Sequence, residues 1–217
     1  MNEKKGIGDI IRGWFEFLNR QESPFKVNIW RNLPQRFALN LTFQYQSIYL
    51  TSLGATPLIL GYLGSLNGVI NTILAIPTGV LADRIGIRKV ILMTLAISMV
   101  SAFVFAIAGS WQMATLAMAL SGITWIIDRT VCPMICGSIL ASHERVTGMG
   151  ICDTISFFPQ LIAPIIGATL ITYFGGMNQK GIRPLYYLQI IGYAIAFIII
   201  LLKFENPRSR MGRKSEN

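Results

Sequence analysis

The chain has 217 residues, 53% hydrophobic and 13% charged, with nineteen Lys and Arg against ten Asp and Glu, a net charge of +9 and a mean hydropathy of +0.53. A water-soluble domain carries about 25% charged residues, so this composition excludes an ordinary cytosolic globule and indicates a chain built for a bilayer. Topology and anionic lipid account for the positive excess, which calls for no nucleic acid partner.

Residues 1–36 are charged throughout and lack the apolar stretch of a cleavable signal peptide, so they read as a cytoplasmic segment. Within them, GIGDIIRGWFEFLNR (Gly6 to Arg20) places Ile7, Ile10, Ile11, Trp14, Phe15 and Leu18 on one helical face. Asp9, Arg12, Glu16 and Asn19 fall on the other. That pattern predicts a helix lying in the plane of the inner membrane surface.

The spans follow from intervals without charge. Between Arg36 and Asp83 lie 46 such residues, between Lys89 and Asp128 38, between Asp153 and Lys180 26, and between Arg183 and Lys203 19. About 20 residues make one helical crossing. The first interval therefore holds two spans, turning at LGATP (Leu53 to Pro57), and the second holds one and most of another, broken near AGSW (Ala108 to Trp111). Six spans are predicted, at 37–53, 57–80, 89–109, 112–138, 149–174 and 185–203, giving a bundle over 37–203 and a basic tail over 204–217. With the N-terminus inside, sixteen cations fall on inner segments and only Lys180 and Arg183 on outer turns, while Arg129 sits within span four. Both termini are therefore expected in the cytoplasm.

The inner loop between spans two and three reads GVLADRIGIRKVIL (Gly79 to Leu92) and gathers Asp83, Arg84, Arg88 and Lys89. Gly79, Leu81, Ala82, Asp83, Arg84 and Gly86 resemble the loop signature of the major facilitator superfamily, roughly Gly-x-Leu-Ala-Asp-Arg-x-Gly-Arg-Lys/Arg. Ile87 departs from it, and the positive charge follows one residue later. ERVTGMG (Glu144 to Gly150) is similar to the family's loop between spans four and five, and FFPQLIAPIIGATL (Phe157 to Leu170) resembles its fifth span. The basic motif of the fourth span has no counterpart, since Met118 stands where its arginine would be. The resemblance covers residues 28–205 and implies one six-helix half of a twelve-helix fold. It also implies that Gly79, Asp83, Arg84, Gly86, Arg88 and Lys89 form a conformational latch. The aspartate would face the positive end of a helix in the second half and the arginines would pair with acidic groups, favouring one of two states without touching solute. The plainer reading is that these charges fix topology and cap helix ends.

Polar residues inside the spans recur at helical spacing: Asn40, Gln44, Ser47 and Thr51 on span one, Asn67 and Asn71 on span two. Ser121, Trp125, Asp128 and Cys132 do so on span four, and Asp153, Ser156 and Gln160 on span five. Lipid penalises such stripes, so they are expected to face an aqueous cavity. Spans three and six carry nothing stronger than Ser, Thr, Tyr or a single Gln and look lipid-facing. The resemblance implies the same arrangement.

An ionised side chain near the bilayer centre costs roughly 2.5–3.5 kcal/mol on insertion scales, which makes Asp128 and Arg129 candidates for function. One reading gives Arg129 to an anionic substrate or counter-carboxylate and Asp128 to proton coupling or a cation. The other pairs both with neighbouring helices. Asp153 reads as a partner for Arg84 or Arg88. Cys132, Cys136 and Cys152 read as small packing residues, His143 as solvated, and Gly64 with Gly68 as a close helix contact. No metal-ligand cluster, cofactor motif or catalytic constellation is visible, so an enzyme is not indicated.

The expectation is an all-α, multi-pass protein of the plasma membrane, one half of a secondary transporter that moves a small solute by alternating access on an ion gradient. A second six-helix half, a copy of this chain or a separate polypeptide, would complete it. The rival is a truncated, non-transporting fragment or assembly partner.

Overall fold

The computed structural model describes residue 13 and residues 16–21 and 23–204, with the side chains of 75, 76, 78–83 and 139 left aside. Most of the Gly6–Arg20 face and the tail beyond Phe204 lie outside the described residues. Among the described residues, from Ser23 on, seven helices follow one another: α1 (Ser23–Phe43), α2 (Gln46–Ser52), α3 (Pro57–Ile85), α4 (Ile87–Ile107), α5 (Trp111–Ile139), α6 (Arg145–Tyr173) and α7 (Gln179–Lys203). Helices α3 to α7 are each long and apolar enough to cross a membrane. The broken pair α1–α2 runs alongside them, with α1 packed on α7, α6 and α5 and α2 touching α3, α5 and α7.

The largest departure from expectation is at the start. Helix α1 begins at Ser23, not at residue 37, and carries Asn28, Arg31, Asn32 and Gln35 into the bundle as buried residues. A charge-free interval misses such a helix because its charges are neutralised by a partner on another element. Arg31 and Arg36 therefore belong to a helix and not to a segment ahead of the first one. The other predicted spans differ from α3–α7 by a few residues, the largest shift being at α7, whose first turns include Lys180 and Arg183.

Short turns hold successive helices antiparallel. Only Gly86 separates α3 from α4, at φ +87°, a backbone conformation that a side chain would strain. At the other end Gly175 and Gly176 take φ +115° and +89°, and Asn178 then caps α7 by accepting from the amides of Lys180 (2.9 Å) and Gly181 (3.0 Å). The break between α1 and α2 is a tightened step in which the Tyr45 amide donates to Thr42, three residues back, at 2.9 Å.

Helix ends are tied by side chains. The Ala108 carbonyl just past α4 accepts from Arg183 and from Gln179 (3.3 Å), and the Tyr49 hydroxyl donates to the Phe105 carbonyl at 2.8 Å. Cationic donors at a helix C-terminus satisfy carbonyls the helix leaves open. At the opposite end Arg88 donates to the Leu201 carbonyl of α7 (2.8 Å), and Arg20 pairs with Glu144, which also accepts from Gln21 (3.3 Å).

Two apolar cores result. One, at the end carrying the loop cations, is built on Phe25, Ile91, Leu95, Ile135, Ile151 and Ile200. Leu18 and Phe17, just ahead of α1, pack against it. The other centres on Tyr49, Phe105 and Tyr186, with Phe105 stacked 4.9 Å from Tyr186. Close backbone approach between helices is made by Gly192 of α7 against Ala38 and by Gly167 of α6 against Leu41 and Tyr45. Gly64 and Gly68 meet nothing within 4 Å and lie exposed, so the predicted contact is not made within this chain.

Candidate functional site

A cavity of about 500 Å³ lies between the two cores. Gln35, Thr42, Gln44 and Ser47 line it from α1–α2, Asn67 and Asn71 from α3, and Ser121, Trp125 and Asp128 from α5. Helices α4 and α7 add Ser98, Ser101, Tyr186, Gln189 and Tyr193. The two helices expected to face lipid alone thus give one flank each to the cavity. Their polar residues are too few to form a stripe but meet partners across helices: the Thr42 hydroxyl lies 3.0 Å from Gln189 Oε1, and Gln189 Nε2 donates to the Tyr193 hydroxyl at 2.9 Å.

The ionic centre is at one wall. Asp128 is 7% exposed, and its Oδ2 accepts from Arg36 at 2.9 Å. Its Oδ1 accepts from Gln35 Nε2 at 2.9 Å and stands 3.4 Å from Arg31 Nη1. Arg31 has a side chain only 2% exposed and donates further to Gln35 (2.6 Å), Asn32 (2.8 Å) and Asn28 (3.1 Å). Asp128 is thus ion-paired to α1 from α5. Arg31, Gln35 and Arg36 are the functional candidates that sequence reasoning missed. A signal was available, since Asn28, Arg31, Gln35 and Thr42 continue a polar stripe at helical spacing.

Arg129, one residue on from Asp128, points elsewhere. It is exposed, and its guanidinium lies 5.1 Å from the Trp125 ring centroid, within cation–π range. Trp125 in turn stacks on Phe43, with centroids 5.7 Å apart and planes 2° from parallel. Phe43 and Trp125 both line the cavity, so the stack carries a cation to its edge.

Other candidates lie apart from the cavity. Asn40 is buried and donates to the Arg36 carbonyl at 2.8 Å, while Thr51 donates to Ser47. Cys132 lies away from the lining, with its sulfur 3.9 Å from that of Cys136. On α6, Asp153 and Gln160 are exposed, and Ser156 donates to the Cys152 carbonyl at 2.7 Å; none of the three lines the cavity. Among the described residues Asp153 makes no ion pair with Arg84 or Arg88, because Arg88 is turned to the Leu201 carbonyl and Arg84 is exposed. Lys89 is exposed as well, and the side chain of Asp83 lies outside the described set, as does that of Leu81. Gly79 lies within α3 and Gly86 forms the turn. His143 is 82% exposed, 3.9 Å from Glu144. Among the described residues no group of His, Cys, Asp or Glu is arranged to hold a metal ion.

The family model described as the Major Facilitator Superfamily matches residues 35–217. Among solved structures, the human organic anion transporter MFSD10 (TETRAN) is similar at a TM-score of 0.67 and 17% identity, covering 85% of this chain and 48% of that one. A D-xylose–proton symporter is similar at a TM-score of 0.67 and 13% identity, covering 89% of this chain and 51% of that one. This chain therefore spans about half the length of those proteins. A search of curated protein sequences found no match.

Proposed function

Because the chain belongs to the Major Facilitator Superfamily, we propose that it forms one half of a secondary transporter that carries a small solute across the membrane by alternating access. The observation that carries this reading is the polar cavity between two apolar cores, with a buried arginine–aspartate centre in its wall. Such a cavity has no use in holding a lipid-solvated bundle together, and ionisable groups at this depth mark solute or ion paths in membrane proteins. Fold kinship with a proton symporter supports drive by an ion gradient.

A second six-helix half, as a copy or a separate polypeptide, completes the cavity. Helices α3 and α6 support that part of the proposal: only 6% of the Pro57–Leu74 stretch and 22% of α6 are buried, against 50% of α4. The two outermost helices are thus the natural seam. The membrane is the plasma membrane, with Lys89 and Arg145 facing the cytoplasm. In a background without native cysteines, single cysteines at positions 89 and 145 should label from the cytoplasmic side, and at 56, 109 and 178 from outside. A cysteine at Ser47, in the cavity, should label from either side in turn as solute or ion is added. A Ser47 label confined to one side under all conditions would leave the fragment reading standing.

The loop at 79–89 serves as the latch between halves. If Asp83 biases the equilibrium, Asp83→Asn should change the inward/outward ratio at Ser47 by about tenfold, the size of a 1.4 kcal/mol contact, with inserted protein unchanged. Equal losses of protein and transport would assign the loop to structure alone.

A further inference from the structure

Resting on the transporter reading, we infer that the solute is uncharged and rich in hydroxyl groups, a polyol or monosaccharide. Charge sets the first limit. Among the described residues the cavity lining carries a single ionised side chain, Asp128, and no Lys or Arg. An anion would find no cationic donor there to replace its water. A cation fares no better, because Oδ1 of Asp128 accepts from Gln35 and faces Arg31 while Oδ2 accepts from Arg36. Two guanidiniums already stand against the one carboxylate, so a further positive charge would meet net repulsion.

Hydrogen-bonding capacity sets the second. Asn67 Oδ1 and Asn71 Oδ1, both on lining residues of α3, are buried acceptors without a donor among the described residues. The Ser101 hydroxyl donates to the Ala117 carbonyl (2.7 Å), Ser121 to Met118 (2.8 Å) and Thr124 to Ser121 (3.0 Å). A hydroxyl has one proton to give, so these lining oxygens are left as acceptors. The Tyr186 hydroxyl of α7 is likewise buried and unpartnered among the described residues, and can act either way. Buried acceptors are normally paired, and a neutral wall rich in them calls for a molecule that donates at several points. Neighbouring hydroxyls do so without bringing charge. Phe43, Phe105 and Trp125 supply apolar surface for the carbon skeleton, and a 500 Å³ space is in the range that holds a small organic ligand.

The test uses the complete transporter, this chain with its second half, in phosphatidylcholine vesicles. Calorimetry would compare glucose and mannitol with glucosamine, a cation, and glucuronate, an anion. One or both of the neutral polyols should bind at least about tenfold more tightly than either charged analogue. Asn67→Leu and Asn71→Leu, which keep the side chain's shape and remove its acceptor, should each lower that affinity by about fivefold. Because both asparagines are partly buried, Gln44→Leu at an exposed lining position provides a variant whose folding is not at stake, with an expected loss of about threefold. Binding of neither polyol, or equal or tighter binding of glucosamine or glucuronate, would overturn the inference. A polyol affinity untouched by all three variants would overturn it too, placing the polyol outside this cavity and leaving the acceptors to water. Labelling at Ser47 separates the failures: alternating access without polyol binding sinks only the substrate class, and polyol binding without alternation sinks only the transporter reading.

Discussion

Asp128→Asn is expected to remove about 3–5 kcal/mol of stability, because it keeps the shape of the side chain but leaves two guanidiniums without a counter-charge. Arg31 cannot turn to water: its side chain is 2% exposed and held by three neutral oxygens on its own helix. Arg36, 20% exposed, can relax in part. A loss of that size is a large share of the 5–15 kcal/mol that holds a typical domain together. Thermal unfolding in mild detergent should show Asp128→Asn well below the parent. The neighbouring Arg129→Ala should move it little, since an exposed cation–π contact is worth about 0.5–1 kcal/mol. Arg31→Met in the Asp128→Asn background should recover much of the loss, because an apolar residue of similar volume replaces the stranded cation. Equal unfolding midpoints for Asp128→Asn and Arg129→Ala would show that the pair does not hold the bundle.

The same centre explains what could and could not be read from the chain. Helices α3 to α7 were legible because their outer surfaces are solvated by lipid, which forces long intervals without charge. Helix α1 was not, because Arg31 and Arg36 are matched by Asp128 about 95 residues away, and no linear pattern announces that partner. The cavity was legible where polar residues repeat on one helix, as with Gln44 and Ser47 or Asn67 and Asn71, and illegible where a helix contributes only weakly polar or isolated groups. Ser98 and Ser101 on α4 and Gln189 on α7 are of that second kind. The α6 stripe of Asp153 and Gln160 is a further case: periodicity shows that residues share a face, and says nothing of what that face meets. On α6 it meets open space in this chain, as the glycines Gly64 and Gly68 do on α3. Both belong to the helices proposed as the seam with the second half.

Gly192→Val is expected to cost about 3 kcal/mol, through overpacking in place of lost charge. Gly192 of α7 sits where α1 crosses it, and a Cβ there would lie 2.5 Å from the Ala38 Cβ and 3.2 Å from the Pro34 carbonyl oxygen. Carbon atoms pack at about 3.5–4.0 Å, so even one methyl requires the helices to part by about 1 Å. Neither neighbour can yield alone, since one is a Cβ fixed to its backbone and the other is backbone itself. The displacement would also reach the ionic centre, because Pro34 precedes Gln35, whose Nε2 lies 2.9 Å from Asp128. Gly64→Val supplies the contrast: nothing lies within 4 Å of its Cβ, so the fold of this chain should tolerate it. Fluorescence-detected size exclusion after heating should place Gly192→Val at least about 5 °C below Gly64→Val, by the usual conversion of a kcal/mol into a melting shift for a chain of this length. If both variants melt with the parent, α1 and α7 are not packed through this glycine. If Gly64→Val alone fails, and only when the second half is present, the open glycine face of α3 is the seam between halves.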